Sequence, residues 1–321
     1  MQTIVARQNK EITTELDLNS LRSLVKHGKE EVWIDMAEPS SEQIAALGEV
    51  FGYDPDVLRD ALNEERRPRI EIHADYYFIS FYAANCDSHS PLIHSRPVYM
   101  FVGCKYLITV HREPVSEIEE TLNRWRTDSS PLECRIGPAL NALLDAFLDD
   151  YFPILDQVAD LVDDLENSIF THPQDTPIQT IFELRKNLLH FRRLVAPERD
   201  VVNVLLRRDL PIHQQEDVGD LQDIYDRTVR LTENIDLYRD LLSSALDSYV
   251  SIQSNRLNEV VKVLTIASVL LMTDALVAGI YGMNFLHMPE LHWRFGYLFA
   301  LGVMVVSNVS LALYFKRKGW L

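Results

Sequence analysis

The chain has 321 residues, with 48 acidic against 31 basic side chains and a formal net charge of −17 at pH 7. An acidic excess of this size disfavours binding to nucleic acid and to anionic membrane surfaces, and it favours the concentration of cations. The three cysteines are far apart in the sequence and fit no zinc-binding spacing.

Residues 1–135 have the mixed pattern of a cytoplasmic α/β domain. A short strand is predicted over 31–36, and Ser40 begins a capped amphipathic helix because a glutamine follows three positions later. A second short helix is predicted over 56–62, between two prolines. The domain contains no glycine-rich phosphate loop, no HExxH pair and no nucleophile elbow. We therefore predict that the chain is not an enzyme.

Two longer strands complete this domain. Apolar residues alternate over 69–83 and recur over 99–111, and each range predicts one strand. A polar segment near 87–97 with serine, histidine and proline joins them as a turn region. The pattern therefore predicts a domain of mixed strands and helices.

The periodicity becomes helical after this domain, and we assign 136–212 to a cytoplasmic helical region. One helix is predicted over 140–170 and a second over 176–206. Pro153 and Pro197 fall inside these ranges. Because an internal proline removes one backbone hydrogen bond, each is expected to kink or divide its helix.

A third helix is predicted to start near Asp220 and to run without proline or glycine as far as Gly279. We assign 213–280 to this stalk helix, whose last part, 263–280, enters the membrane. About 60 residues at 1.5 Å each give on the order of 90 Å, which is too long to pack on one globular core. Helices of this length usually associate with others, so we predict an oligomer to which each subunit contributes one stalk.

Two apolar segments predict a hairpin of membrane-spanning helices. The segment 295–315 has 21 residues and no charge, which is enough to cross a hydrocarbon core of roughly 30 Å. The segment 263–280 has 18 residues and is interrupted by three hydroxyl side chains and by Asp274. A helix that faces only lipid has no reason to carry these groups, whereas a helix that lines a wet path does.

Basic residues at the outer ends of the hairpin orient it. The tail 316–321 begins with Lys316-Arg317-Lys318, and Arg256 and Lys262 precede the first apolar segment. The positive-inside rule places both ends in the cytoplasm and the tract 281–294 outside. The first residues of the chain show no apolar signal sequence. The expected location is the inner cell membrane, with both termini cytoplasmic.

One stripe of the first membrane helix would face the axis if this helix lines a central path. Steps of three and four residues back from the outer tract give Gly282, Gly279, Ala275, Met272, Ser268, Leu264 or Thr265, Val261 and Asn258. The stripe is small and weakly polar at its outer end, then apolar, then polar at the cytoplasmic end. Small residues leave a lumen, and apolar rings can close it by dewetting. Alternatively, the small residues serve only to pack helices closely.

The tract Tyr281-Gly282-Met283-Asn284-Phe285 resembles the signature of the CorA family of magnesium and cobalt channels. Further blocks match the family in the same order along the chain, over 57–63, 67–68, 145–146, 149–152, 258–260, 262–266, 288–291, 293, 295–297 and 316–321. The resemblance implies a homopentameric funnel. Each subunit would have an α+β cytoplasmic domain with a mixed sheet flanked by helices, a long stalk helix and a C-terminal hairpin of two membrane helices.

The resemblance also implies that Gly282, Met283 and Asn284 form the selectivity filter, with a ring of five Asn284 amides at the outer mouth. Magnesium sheds its hydration water reluctantly, so neutral oxygen acceptors that hydrogen-bond this water suit it. A role for Asn284 as the cap of the helix end is an alternative compatible with this one. Glu290 is a further acid in the outer loop.

Regulatory Mg²⁺ between neighbouring cytoplasmic domains is a further implication, with Asp60 and Asp223 as its ligands. The two carboxylates repel each other when empty and are bridged by the ion, so low cytoplasmic Mg²⁺ would open the pore. From composition alone they are two solvated acids among 48. Asp145 matches a secondary metal site, but its partner position carries the cation Arg59 instead of an acid. Asp247 matches a carboxylate on the pore axis.

The middle of the first membrane helix departs from the family. Where relatives often have Met-Pro-Leu-Thr, this chain has Met272-Thr273-Asp274-Ala275. A lone carboxylate at this depth is costly unless it is paired, hydrated or protonated. Asp274 is one residue, about 100°, from the stripe through Ala275. We predict that it borders the pore at a helix interface and modifies ion selection.

The sequence therefore predicts a channel for Mg²⁺ uptake, with Co²⁺ and Ni²⁺ as further permeants and no organic cofactor. Its predicted partners are other copies of the chain, membrane lipid and divalent ions, and not nucleic acid. A zinc transporter of the same superfamily, coupled to protons, is an alternative for which Asp274 is the only hint. A cytoplasmic scaffold anchored by the hairpin is a second alternative, in which Asn284 is dispensable.

Overall fold

The structure is a computed structural model that describes residues 2–8, 11–13, 31–61, 67–86, 93–126, 135–171, 178–207, 218–283, 288–289 and 293–320. Within these residues the chain forms seven strands and eight helices. It divides into two compact units, residues 1–245 and residues 246–321. The finer division into functional domains that the sequence predicts stays a prediction.

A mixed seven-stranded sheet forms the centre of the first unit. Its strands are β1 Gln2–Gln8, β2 Glu11–Thr13, β3 Glu31–Ala37, β4 Arg69–Ile72, β5 Tyr77–Cys86, β6 Ile93–Gly103 and β7 Tyr106–His111. Their order across the sheet is β2-β1-β3-β7-β6-β5-β4. Strands β3 and β7 pair in parallel, and the other neighbours are antiparallel. The predicted mixed sheet is confirmed.

Helices cover both faces of this sheet, and its central strands are buried without interruption over 78–84, 98–103 and 106–111. On one face, Tyr53 follows the first helix and stacks on Phe101 of β6, with 4.5 Å between the ring centroids. On the other face, Trp33 of β3 packs against Trp125, with 5.9 Å between the ring centroids, and Phe81 of β5 packs against Phe147, with 5.8 Å between the ring centroids. The main core thus lies between the sheet and these helices.

The two long strands predicted from the sequence are wrong in extent, because each is interrupted by a turn. Between β4 and β5, the N–H of His73 donates to the carbonyl of Tyr76 at 3.0 Å. Between β6 and β7, a Cβ at Gly103 would lie 2.2 Å from the ring of Tyr106, so only glycine fits this close approach. Strand β6 also begins at Ile93, inside the predicted turn region. The sequence pattern does not predict β1 or β2.

The helix α1, Ser41–Phe51, begins at the predicted capping box. The side chain of Ser40 accepts from the N–H of Gln43 at 3.2 Å, and the Gln43 side chain accepts from the N–H of Ser40 at 2.8 Å. The second helix, α2, spans Pro55–Asp60 and is capped by Asp54. The predicted range 56–62 extends beyond the end of this helix, and residues 62–66 lie outside the described part of the chain.

The remaining helices of the first unit are α3 Ser116–Arg126, α4 Ile136–Asp149, α5 Tyr151–Thr171 and α6 Ile178–Arg207. The predicted helix over 140–170 is divided at Asp150, and Pro153 falls in the first turn of α5, where its missing N–H removes no helical hydrogen bond. Pro197 lies inside α6 without ending it.

A carboxyl group that the sequence does not single out is fully buried between the sheet and two helices. Glu198 of α6 is 0% exposed. Its Oε1 accepts from the N–H of Tyr82 on β5 at 2.9 Å, and its Oε2 lies 3.0 Å from the hydroxyl of Tyr151 on α5. Burial raises the pKa of Glu198 well above its ordinary value, against the lowering effect of the hydrogen bond from the Tyr82 N–H.

The helix α7, Val218–Tyr281, has 64 residues and confirms the predicted unbroken stalk. The last helix, α8, spans Gly296–Arg317. Both are long and apolar enough to cross a membrane. Hardly any of the apolar window of either helix is buried within the chain, in contrast to the core helix of a soluble protein. Lipid or other copies of the chain must therefore cover these surfaces.

Candidate ion path and metal sites

The predicted stripe of α7 is exposed in the single chain over its whole length. Met272 is 70% exposed, Leu264 66% and Val261 51%. The other exposed members of the stripe are Asn258, Ser268, Ala275 and Gly279. The opposite face of the helix is covered, with Ile266 buried and Thr273 and Val277 partly buried. The stripe is thus turned away from the neighbouring helix and is open to lipid or to other copies of the chain. That it lines a pore stays a prediction.

Backbone contacts at the outer end of α7 favour a small residue directly after the helix. The N–H of Gly282 donates to the carbonyl of Ala278 at 2.9 Å, and the N–H of Met283 donates to the carbonyl of Ile280 at 3.3 Å. A Cβ on Gly282 would lie 3.0 Å from the Ala278 oxygen, which is tighter than an ordinary contact. The predicted filter residue Asn284 and the loop acid Glu290 lie outside the described residues.

Asp274 has a hydrogen-bond partner that the sequence does not reveal. The side-chain amide of Asn308, on α8, donates through Nδ2 to both carboxylate oxygens, at 3.0 and 2.9 Å. Both residues are partly buried. The carboxylate therefore faces the second membrane helix of its own chain.

Asp60, the first predicted regulatory ligand, is buried and already paired. It is 4% exposed, and its Oδ2 accepts from the guanidinium of Arg69 on β4. Arg69 is held in turn by Glu71, whose Oε1 accepts from its Nε at 2.6 Å, and by the ring of Phe78, with 5.5 Å between its Cζ and the ring centroid. A carboxylate is a suitable Mg²⁺ ligand, but here a fixed cation competes for it.

Asp223 and Asp145 lie together in a cleft of about 380 Å³ between α4 and α7. Asp223 is exposed. Arg227 donates to Asp145 and to Asp149. Burial raises the pKa of Asp145, and the charge of Arg227 opposes this effect. The predicted secondary site at Asp145 is therefore occupied by an arginine.

Arg59, which the family resemblance gives as the partner position of Asp145, pairs with another residue. Arg59 lies 3.1 Å from Asp56, and both side chains are exposed. Asp247 is exposed on α7, in the second unit. Among the residues described, no group of three acidic, histidine or cysteine side chains could hold a metal ion. One chain therefore does not assemble a complete metal site within its described part.

Comparison with known proteins places these features in a family. The sequence model of the CorA-like Mg²⁺ transporter proteins matches residues 28–317. The Cobalt/magnesium transport protein CorA of Thermotoga maritima is 35% identical over 283 residues, which cover 88% of this chain and 80% of that protein.

Two solved structures share the fold. The complete structure of the CorA magnesium transporter from Methanocaldococcus jannaschii has a TM-score of 0.83 at 24% identity, over 100% of this chain and 99% of that chain. The cytoplasmic domain of ZntB from Vibrio parahaemolyticus has a TM-score of 0.62 at 12% identity, over 79% of this chain and 98% of that chain.

Proposed function

This chain belongs to the family of CorA-like Mg²⁺ transporter proteins, and we propose that it is a membrane channel through which Mg²⁺ enters the cell, with Co²⁺ and Ni²⁺ as further permeants. The observation that carries this proposal is the end of α7. A helix that is long and apolar enough to span a membrane ends at Tyr281, and Gly282-Met283-Asn284 follow it directly in the sequence. Its exposed stripe leads to that motif.

Selection of the ion is assigned to Asn284, with backbone carbonyls of Gly282 beside it. In a homopentamer, five amide oxygens surround the mouth and accept hydrogen bonds from the water bound to Mg²⁺. A hydrated ion can pass such a ring without losing its inner water. Neutral acceptors also hold the ion weakly enough for it to leave again.

The exposed stripe of α7 forms the wall of the path in this proposal. Val261, Leu264 and Met272 make apolar rings that close it by dewetting when the subunits approach each other. Small residues at Ala275 and Gly279 leave room for a hydrated ion above these rings.

The proposed orientation places both termini in the cytoplasm, and the direction of ion flow is set by the electrochemical gradient. The basic tail 316–321 and the basic residues before the first span support this orientation through the positive-inside rule. With an inside-negative potential, a divalent ion gains about 4.6 kcal/mol per 100 mV on entry. No further energy source is needed.

Regulation is assigned to Mg²⁺ bound between Asp60 of one subunit and Asp223 of its neighbour. The bound ion holds the cytoplasmic domains together, and its loss lets the ring loosen and the pore open. In this chain Arg69 competes with the ion for Asp60. We therefore expect regulation at a higher Mg²⁺ concentration than an unpaired aspartate would give.

Replacing Arg69 with glutamine is expected to lower the internal Mg²⁺ concentration that half-inhibits flux by severalfold, because Asp60 and Glu71 lose their cation. Flux into proteoliposomes loaded with graded Mg²⁺ measures this change. Arg59→Gln is the matched control, because Arg59 is next to Asp60 but pairs with the exposed Asp56. An unchanged half-inhibitory concentration in Arg69→Gln would exclude Asp60 as a regulatory ligand.

Flux into proteoliposomes with the purified protein tests the function itself. Mg²⁺, Co²⁺, Ni²⁺ and Zn²⁺ are compared with and without a pH gradient. Mg²⁺ entry that needs no pH gradient is the expected result. Zinc entry driven by the gradient would instead indicate a proton-coupled zinc transporter. If no ion enters, the cytoplasmic scaffold anchored by the hairpin is the function that remains.

A further inference from the structure

The Asp274–Asn308 pair joins the two membrane-spanning helices through polar side chains. The other polar side chains described nearby bond within their own helix. Thr273 donates to the carbonyl of Val269 at 2.8 Å, and Ser307 donates to that of Val303 at 2.9 Å. The hydrocarbon interior offers no water, so a carboxylate at this depth depends on the protein for its donors. Asn308 supplies them.

The side-chain amide of Asn308 depends in turn on Asp274 for its hydrogen bonds. Its Nδ2 is within 3.0 Å of both carboxylate oxygens. Its Oδ1 is buried and has no hydrogen-bond partner in the described part of the chain. No other contact described there fixes the orientation of the amide. Loss of either side chain therefore leaves a polar group in the membrane without its partner.

The link also sets the direction in which the carboxylate points. Asp274 lies between Met272 and Ala275, which are both exposed on the stripe face, yet its own oxygens are turned to α8. We propose that Asn308 is a specificity-determining positioning residue, which holds the Asp274 side chain against the second helix and so keeps the five carboxyl groups of a homopentamer out of the ion path. The part of this inference that concerns ion passage rests on the proposed channel function.

The Asp274 carboxylate can lie in two positions, against α8 or towards the ion path, and removal of Asn308 changes the balance between them. Without the amide, the nearest source of hydration is the aqueous path beside Ala275, one residue along the helix. A ring of carboxylates there would bind divalent ions tightly and release them slowly. Asn308→Ala is therefore expected to lower both the half-saturating Mg²⁺ concentration and the maximal flux by severalfold. A role confined to stability would change neither the saturation nor the ion preference.

Two further variants separate position from stability. Asp274→Leu leaves Asn308 without its partner, but no carboxylate can reach the path, so the half-saturating concentration stays that of the native protein. The double variant Asp274→Leu/Asn308→Ala removes both polar groups and is expected to restore saturation and maximal flux. Thr273→Val and Ser307→Ala are matched controls at neighbouring positions and should change nothing, because their hydroxyls bond within their own helices.

The experiment combines thermal unfolding of the detergent-purified full chain with Mg²⁺ and Co²⁺ flux in proteoliposomes, for the native protein and all five variants. Each single change in the pair should lower the unfolding midpoint, and the double change should lower it by less than the sum. Decreases in the unfolding midpoint that add up in the double variant would overturn the proposal. A half-saturating Mg²⁺ concentration in Asn308→Ala equal to that of the native protein would also overturn it. If the native protein carries no ion while the midpoints remain coupled, the channel function fails and the interhelical link stands.

Discussion

Mg²⁺ entry is expected to fall to the level of protein-free liposomes when Asn284 is replaced with alanine. The methyl group cannot accept a hydrogen bond from the water around the ion, so a ring of five such residues offers no compensation for partial dehydration at the mouth. Stopped-flow entry of Mg²⁺ into liposomes that contain a fluorescent indicator measures the loss.

The control for this change is Asn284→Gln, which keeps the amide one methylene further from the backbone. It should retain measurable entry with an altered preference between Mg²⁺ and Co²⁺. Native unfolding midpoints in both variants show that the hairpin remains intact. Native Mg²⁺ entry in Asn284→Ala would place ion selection elsewhere, since the amide ring would then be dispensable.

Local patterns sufficed to predict much of the fold. The capping box at Ser40 and Gln43 depends on residues three apart, and the long helix α7 depends on an uninterrupted helical composition, so both can be read from neighbours in sequence. The extents of the strands could not be read in this way. Whether 99–111 is one strand or two depends on the close contact of Gly103 with Tyr106, which forms only once the chain has turned.

The site shows the same division between local and distant information. The exposed stripe of α7 follows from helical spacing. The hydrogen-bond partner of Asp274 does not follow from this spacing, because Asn308 is 34 residues away in the sequence. The contact between the two side chains depends on how each helix is rotated about its axis. An asparagine within an uncharged, largely apolar segment was the available signal. Arg69 is likewise a surface cation by composition, and only the sheet brings it to Asp60.

Glutamine in place of Glu198 is expected to make the protein more stable than the native form at pH 8. Tyr151 has one phenolic proton and donates it to the carbonyl of Tyr82 at 2.6 Å. In the hydrogen bond between Tyr151 and Glu198, the carboxyl group is then the donor and the Tyr151 oxygen the acceptor. The carboxyl group must therefore be neutral. A glutamine side chain makes the same two hydrogen bonds, because its oxygen accepts from the Tyr82 N–H and its nitrogen donates to Tyr151.

The sign of the pH dependence follows from the raised pKa of Glu198. The unfolded chain releases this proton above its ordinary value of 4.5, while the folded chain keeps it until its own higher pKa. Between these values, the contribution of Glu198 to the free energy of unfolding falls by about 1.4 kcal/mol per pH unit. The glutamine variant has no such loss, so its advantage at pH 8 should shrink towards pH 5.

Thermal unfolding midpoints between pH 5 and pH 8 test this expectation on the purified full chain. Glu198→Ala is the comparison variant, and it should be less stable than the glutamine variant at every pH by about 2 kcal/mol, because the buried Tyr82 N–H loses its acceptor. Glu31 and Asp150, whose pKa values are raised by burial to about 7 and about 6, are present in all three proteins, so their effects cancel in the differences. A gap between the native and glutamine forms that is constant over this range would mean that Glu198 is ionised in the fold.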